Sequence, residues 1–425
     1  MRIAVVDYSG HAFAVQLSRA LASRGHEVMH LHFSEFQSPH GELEMNADDP
    51  ASLTIKPVSL GKPFHKYSFL RRRFQEVAIG RVFAAEIEAF APEVVLAGNC
   101  PLDSVAEIGR SARRNGRKFV FWQQDIYSAA IGRILGQRIG WLGRLIGRHY
   151  RRIERNALRA SDAIVVISQD FVDTIRQELS LSARNVHVIE NWAPIARLPL
   201  RPKDNSWARR HDLIGKKVIL YSGTIGLKHD PHQLLDLALN LQSEPDTMLV
   251  VVSEGPYADW LSKQCKLLDL SRVLVLPFQR FEDFPDVLGS ADIAIAVLEP
   301  DAGVFSVPSK ILSYLCGGRP IVLSSPPENL AARIIRGCDA GRVVNAGDRS
   351  SFVQAVRLFL GDRQLREDAG RNARAYAEAA FDIDRVAARF ESVFAGVLNG
   401  RHTSQSADKP LPEETARPSI KPVRR

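Results

Sequence analysis

The residues best suited to chemistry in this chain are cations and glycines that follow short apolar runs. In "YSGTIGLKHD" Gly223 and Gly226 flank a tight turn and Lys228 projects from it. The open amides of a glycine turn and one ammonium suit a diphosphate, whose charge is shared over several oxygens. A solvated surface lysine is the plain alternative. In "GVFSVPSKILSYLCGGRP" Gly303 gives a flexible approach, Val307 leads to Pro308 in the first turn of a helix, and Ser309 and Lys310 stand at that helix's positive end. Gly317 and Gly318 end the helix, and Pro320 opens the next strand. In "DYSGHAFAVQLSRAL" Gly10 opens a turn and His11 sits at a helix start, a second place where free amides attract an anion. No G-x-G-x-x-G follows that strand, so the dinucleotide fingerprint is missing.

Carboxylates and rings occupy other strand ends. Glu254 in "VVVSEGPYADWL" either accepts hydrogen bonds from a ligand or serves as an acid favoured by a helix dipole. Phe278, followed by Gln279 and Arg280, offers a flat surface to a nucleobase, although aromatic residues at such spacing are more often core. Asp125 in "FWQQDIY" orients an acceptor hydroxyl or contacts a donor sugar, with a plain helix-start acid as the equal alternative. The single D-x-D, Asp382-Ile383-Asp384, falls in a helical region far from strand ends and reads as a solvated helix feature, so no metal site is expected.

These loops need a scaffold that brings strand ends together. Apolar runs alternate with helical patterns from "RIAVVDY" onward, the rhythm of parallel sheets with helices on both faces. The alternation pauses at the proline-bearing, basic "APIARLPLRPKDNSWARR" and restarts at "KKVILYSG". The reading is α/β, two Rossmann-like doubly wound domains facing across a cleft. The first covers 1–195, a linker 196–210, the second domain 211–375, a helix crossing back to the first domain 376–398, and a disordered tail 399–425. Open α/β sheets bind ligands beyond the carboxyl ends of their strands, so the chemistry belongs in those loops.

Composition agrees with a globular enzyme: 425 residues, 45% hydrophobic and 24% charged. Cys100, Cys265, Cys316 and Cys338 form no CxxC pair, which argues against a zinc site or a disulfide framework. No apolar run reaches the roughly 20 residues of a spanning helix, and a cytosolic location is expected. The net charge of +8 and a pI near 9.4 ask for an anionic partner. One is suggested by "RIGWLGRLIGRHYRRIERNALRASD", which sets Trp141, Leu142, Leu145, Ile146 and Ile153 on one helix face amid Arg144, Arg148, Arg151, Arg152 and Arg155. A basic amphipathic helix with tryptophan suits an anionic membrane surface. "HKYSFLRRRFQE" repeats the theme.

Taken in order, "YSGTIGLK", "SEGP", "SVPSKILSYLCGGRPIV" and "PPENLAARIIRGCDAGRVV" resemble the bacterial glycosyltransferases of the GT-B fold, family 4, in their colanic-acid and O-antigen assembly branch. The resemblance implies a second domain that binds a nucleotide-sugar donor and a first domain that faces a glycan or polyprenyl-linked acceptor. It implies Gly226 and Lys228 near the donor diphosphate, Ser309 and Lys310 near phosphate or ribose, and Glu254 and Phe278 around the nucleoside. Retention of anomeric configuration is implied likewise. No cofactor is expected, since oriented cations can stabilise the departing phosphate without a metal, and the basic helices make the inner face of the plasma membrane the expected place of work. The chain departs from the family where many members carry two glutamates around this helix, which would fall near Phe305 and at Ser313, and an arginine, which is Thr224 here. A GT-B nucleotide-sugar epimerase is the alternative activity, and a nucleic-acid-binding protein, suggested by the high pI, is the less favoured one. Nucleic acid is not expected as a partner, because the arginine clusters lie on membrane-like helices without a nucleic-acid motif.

Overall fold

The computed structural model describes residues 1–400 apart from 39, 66, 67, 178, 180–184, 227, 228, 245 and 301–307. Lys228, Gly303, Val307 and the expected tail beyond 400 therefore lie outside the described residues.

The first half runs β1 (Arg2–Asp7), α1 (Ala12–Ser23), β2 (Glu27–Phe33), β3 (Leu53–Val58), α2 (Phe69–Phe90), β4 (Val94–Gly98) and α3 (Leu102–Arg114). It continues through β5 (Lys118–Gln123), α4 (Tyr127–Ala160), β6 (Ala163–Val166), α5 (Gln169–Gln177) and β7 (Val186–Val188). These strands form one parallel sheet in the order β3-β2-β1-β4-β5-β6-β7. β4 and β6 are apolar along their whole length, and β1 between Arg2 and Asp7, because helices cover both faces. β3, absent from the sequence reading, is the edge strand, where Pro57 withholds no ladder bond that a neighbour needs.

After α6 (Ser206–Arg210) the second half alternates β8 (Lys217–Ser222), α7 (Pro231–Asn240), β9 (Thr247–Val252), α8 (Pro256–Leu267), β10 (Val273–Leu276), α9 (Phe284–Ser290) and β11 (Ile293–Val297). Then come α10 (Lys310–Cys316), β12 (Ile321–Ser324), α11 (Leu330–Gly337) and β13 (Gly341–Val344). The second parallel sheet is ordered β10-β9-β8-β11-β12-β13. The strand order thus reverses between β1 and β4 in one sheet and between β8 and β11 in the other. Those two switch points are where such sheets open a crevice for a ligand.

The stretch read as a linker is packed rather than loose. Leu198, Trp207 and Ala208 are buried, and the Trp207 indole donates to Gln279 Oε1 at 2.8 Å. The closing helical pattern divides into α12 (Arg349–Gly361), α13 (Arg363–Ala380) and α14 (Ile383–Leu398), each begun by an aspartate, Asp348, Asp362 or Asp382, whose side chain accepts first-turn amides. Asp382 of the D-x-D is thus a helix cap.

Helix α14 lies on α1 and β5 of the first sheet. Phe390 meets the Trp122 ring edge-on at 5.0 Å and the Trp192 ring at 6.3 Å, while Glu391 pairs with Arg24 at 2.7 Å and with His26 at 2.8 Å. The aromatic contact outweighs the ion pair, because Phe390 is fully buried and Arg24 stays 35% exposed. Phe390→Ala is expected to lose about 3–5 kcal/mol in urea denaturation, and Glu391→Gln only about 1 kcal/mol or less. Equal losses in the two variants would contradict this ranking.

Candidate active site

At the second switch point, two side chains one turn apart on α10 hold the end of β8. The Tyr314 hydroxyl accepts from the Ser222 amide at 2.8 Å and donates to the Ser222 carbonyl at 3.2 Å. The Lys310 ammonium donates to the Tyr221 hydroxyl at 2.5 Å and reaches the Thr224 carbonyl at 3.4 Å, lying 4.1 Å from the Tyr221 ring centroid. Both acceptors are neutral, and burial pushes the ammonium down from the ordinary 10.5 to about 7.

Gly223 closes over this lysine. Its φ of +133° is one that side-chain-bearing residues rarely adopt, and an added Cβ would sit 3.0 Å from Lys310 Cε. The turn is pinned further by Gly223 N to the Val252 carbonyl at 2.9 Å and Ile225 N to Ser253 Oγ at 3.3 Å. Gly226 donates to His229 Nδ1 at 3.0 Å and has no left-handed backbone. Its nearest neighbours would lie 3.9 Å from an added Cβ, so what it leaves is space rather than flexibility.

The other second-domain candidates sit on adjoining loops. Glu254 Oε1 accepts from the Phe278 amide at 3.0 Å, which joins the turns after β9 and β10 and gives this carboxylate a structural role. Pro308 is buried but precedes the cap residue Ser309, so it is not in the first helical turn as expected. The helix has only seven residues, and Ser309 makes no side-chain cap bond. Its start therefore offers a weaker dipole than the sequence suggested, and the charge at this point comes from Lys310.

In the first domain the switch point is bridged by an acid. Asp7, wholly buried at the end of β1, accepts from the His11 amide at 2.5 Å and from Asn99 Nδ2, beyond β4, at 3.0 Å. Burial pushes its carboxyl up to about 7 against those hydrogen bonds. Gly10 has φ +69°, and an added Cβ would come 2.7 Å from Leu43 Cδ1, so its bareness admits the 40–43 loop rather than a ligand. The His11 ring stacks on Phe13 at 5.6 Å. Asp125 lies partly exposed two residues before α4, beside a buried carboxylate, Glu154, that accepts from Gln123 Nε2 at 3.0 Å and from the Tyr127 and Ser128 amides at 3.1 and 3.2 Å. Burial pushes Glu154 up to about 7.

The structure thus gathers Gly223, Gly226 and Lys310 into one group with Glu254 and Phe278 on neighbouring loops, and keeps Gly10, His11 and Asp125 on the other sheet. Sequence reasoning missed Tyr221, Tyr314, Ser253, Asp7 and Asn99. Only Asp7 carried a signal, an acid closing an apolar strand just before a glycine turn.

The glycosyl transferase 4-like domain model matches residues 10–192, and the model of glycosyl transferases group 1 matches residues 205–376. An Escherichia coli K12 protein whose name assigns it to colanic acid biosynthesis as a glycosyl transferase is 25% identical over 240 residues, 56% of this chain and 58% of that one. The alpha-D-kanosaminyltransferase of Streptomyces kanamyceticus is 22% identical over 249 residues, 57% of this chain and 62% of that one. These alignments span less than two thirds of the relatives' own lengths. Among solved structures, Anabaena HepE in complex with UDP and glucose superposes with a TM-score of 0.68 at 16% identity, over 93% of this chain and 99% of that one. WaaG, a glycosyltransferase involved in lipopolysaccharide biosynthesis, gives 0.65 at 15% identity over 93% and 100%. At such identity the likeness establishes the fold, which is GT-B.

The lysine under the turn makes a prediction independent of any ligand. Its stabilising contribution is full above the unfolded value of 10.5 and is lost as pH falls toward about 7. Lys310→Met lacks that titration, so wild-type melting temperature is expected to rise more steeply than the variant's between about pH 7 and about pH 10. Parallel melting curves across that window would show that the lysine is not buried as described.

Proposed function

The chain belongs to the family 4 type of GT-B glycosyl transferases, and from that premise we propose that it moves a sugar from a nucleotide-sugar donor to a glycan or polyprenyl-linked acceptor in bacterial surface polysaccharide assembly. The observation that carries the reading is the Lys310 ammonium under the Gly223–Gly226 turn, a cation held by neutral oxygens at the switch point of the second sheet. The colanic-acid name of one relative and the UDP and glucose bound by HepE support the donor class and the pathway type.

In this reading the donor diphosphate lies on the turn. As the bond from the sugar C1 to the β-phosphate oxygen breaks, the electron pair goes to that oxygen, and Lys310 with Lys228 stabilises it, since the amides of Gly223, Ile225 and Gly226 are already bonded within the fold. The acceptor hydroxyl, oriented by Asp125, bonds to C1, and its proton passes to the departing β-phosphate oxygen. Glu254 and Phe278 border the nucleoside, and Ser309 adds a hydroxyl beside the phosphate. The enzyme works at the anionic inner face of the plasma membrane, where such acceptors are held. Among the described residues no helix is long and apolar enough to cross a membrane.

Lys310→Ala and Lys228→Ala are each expected to lower transfer about 10²- to 10³-fold, with melting curves confirming that the variants fold. Affinity for the matching nucleoside diphosphate, chosen by a thermal-shift screen of UDP, GDP, ADP and dTDP, is expected to fall up to about tenfold per pH unit above the lysine's value of about 7. Near-normal turnover in both variants would refute the phosphate-binding assignment.

A further inference from the structure

Helix α4 carries eight arginines against one glutamate, a net +7 in a chain whose total is +8. It is also not one helix. At Ile139 (φ −131°, ψ 22°) and Gly140 (φ 57°, ψ −126°) the backbone leaves the helical region, and the chain turns back on itself. A Cβ added to Gly147 would sit 2.6 Å from Gly132 Cα, one on Gly136 would meet the Arg144 side chain at 3.6 Å, and one on Gly143 would collide with the Leu135 carbonyl. The pairs 132 with 147, 135 with 143 and 136 with 144 share one antiparallel register centred on the break. Two helical arms are therefore packed backbone to backbone, as only small residues at about every fourth position permit.

The tip of this hairpin is apolar and bare. Ile139 is 45% exposed, Trp141 70%, Leu142 45% and Leu145 53%, while Ile146 and Ile153 further down the second arm turn inward onto the first-domain core. Arg144, Arg148, Arg151 and Arg152 are exposed on the same arm. At the start of α2, which Arg73 ties to this arm through His149 at 3.2 Å, Leu70 and Phe74 are exposed as well. An apolar cluster of this kind on a soluble surface marks an interaction site.

We infer that the α4 hairpin is a membrane wedge, its apolar tip entering the interfacial layer of an anionic phospholipid bilayer while its arginines pair with lipid phosphates. Charge complementarity selects this occupant, since two copies of so basic a face repel one another. The wedge deepens the proposed transfer reaction and rests on it for its use. Glu154 on the second arm binds the first amides of the first arm, closing the hairpin at its base next to Asp125. An arm of about twelve residues holds that base about 18 Å from the tip. With the tip sunk about 5–10 Å, Asp125 stands about 10 Å above the acyl boundary, within reach of a sugar on a lipid-linked diphosphate.

Flotation with vesicles of phosphatidylcholine, with and without phosphatidylglycerol, tests the wedge. The wild-type chain is expected to float with the anionic vesicles, and the triple variant Trp141→Ser, Leu142→Ser, Leu145→Ser to partition about tenfold less. Tryptophan emission is expected to shift to shorter wavelength with the anionic vesicles and to lose that shift in Trp141→Phe, because Trp122, Trp192 and Trp207 are already buried and Trp260 is packed, partly buried, against the second-domain core. Flotation of the triple variant equal to wild type overturns the wedge. So does a wild type that ignores the vesicles but whose self-association, seen by sedimentation velocity, disappears in the triple variant. Thermal shift by UDP, GDP, ADP and dTDP on the same samples separates the two claims: no shift with any of the four in wild type counts against the transfer reading, whereas flotation speaks only to the hairpin.

Discussion

The pairing of β8 with β11 stops at Leu220, and much of the second domain's candidate site is a response to that. β8 continues to Ser222 with β9 on its other side, so its last peptide groups on the β11 side have no strand to meet. Buried backbone groups do not go unpaired without cost. The Tyr314 hydroxyl takes the place of the missing strand by serving both the amide and the carbonyl of Ser222. Lys310, one turn earlier, then falls under the turn that follows. A ligand crevice and a desolvated cation thus arise from the same topological gap, which is why they coincide.

The first sheet has no such gap and carries the opposite chemistry at its switch point. There β1 stays paired with β4 through Asp7 and Gly98, and the turns beyond are joined by the Asp7 carboxylate between the His11 amide and Asn99. An acid at this point makes the first switch point a poor seat for a diphosphate, while a lysine favours the second one. The assignment of donor and acceptor sides proposed above follows that contrast.

Strands of both sheets were legible in the sequence because parallel strands buried on two faces read as unbroken apolar runs. β3 was not, since an edge strand with exposed Lys56 and Pro57 lacks that pattern, and β13 was obscured by its opening Gly341 and exposed Arg342. Glycines and lysines of the site stood out because those residue types are rare inside apolar segments. Tyr221 and Tyr314 did not, because a tyrosine in an apolar run looks like core, and both are core apart from one hydroxyl each. The bend in α4 was hidden for a different reason. Helical periodicity survives from 141 onward, so Gly140 read as one more helical residue, although the recurrence of glycine at 132, 136, 140, 143 and 147 was the sign of a close-packed hairpin.

The basic composition left the anionic partner open, and the structure divides that charge unequally. The net charge of α4 nearly equals that of the whole chain, with Arg144, Arg148, Arg151 and Arg152 exposed, while among the described residues the switch point of the second sheet holds the Lys310 ammonium among neutral oxygens. Physical chemistry asks for this division if both proposals hold. An exposed arginine near a membrane is worth about 1 kcal/mol and is screened by salt, so a surface must accumulate many of them. A cation removed from water interacts far more strongly with an arriving anion, so few are needed where the transition state must be stabilised. Gly223 suits the seat of this lysine, because its φ of +133° is one that side-chain-bearing residues rarely adopt and an added Cβ would crowd Lys310 Cε at 3.0 Å.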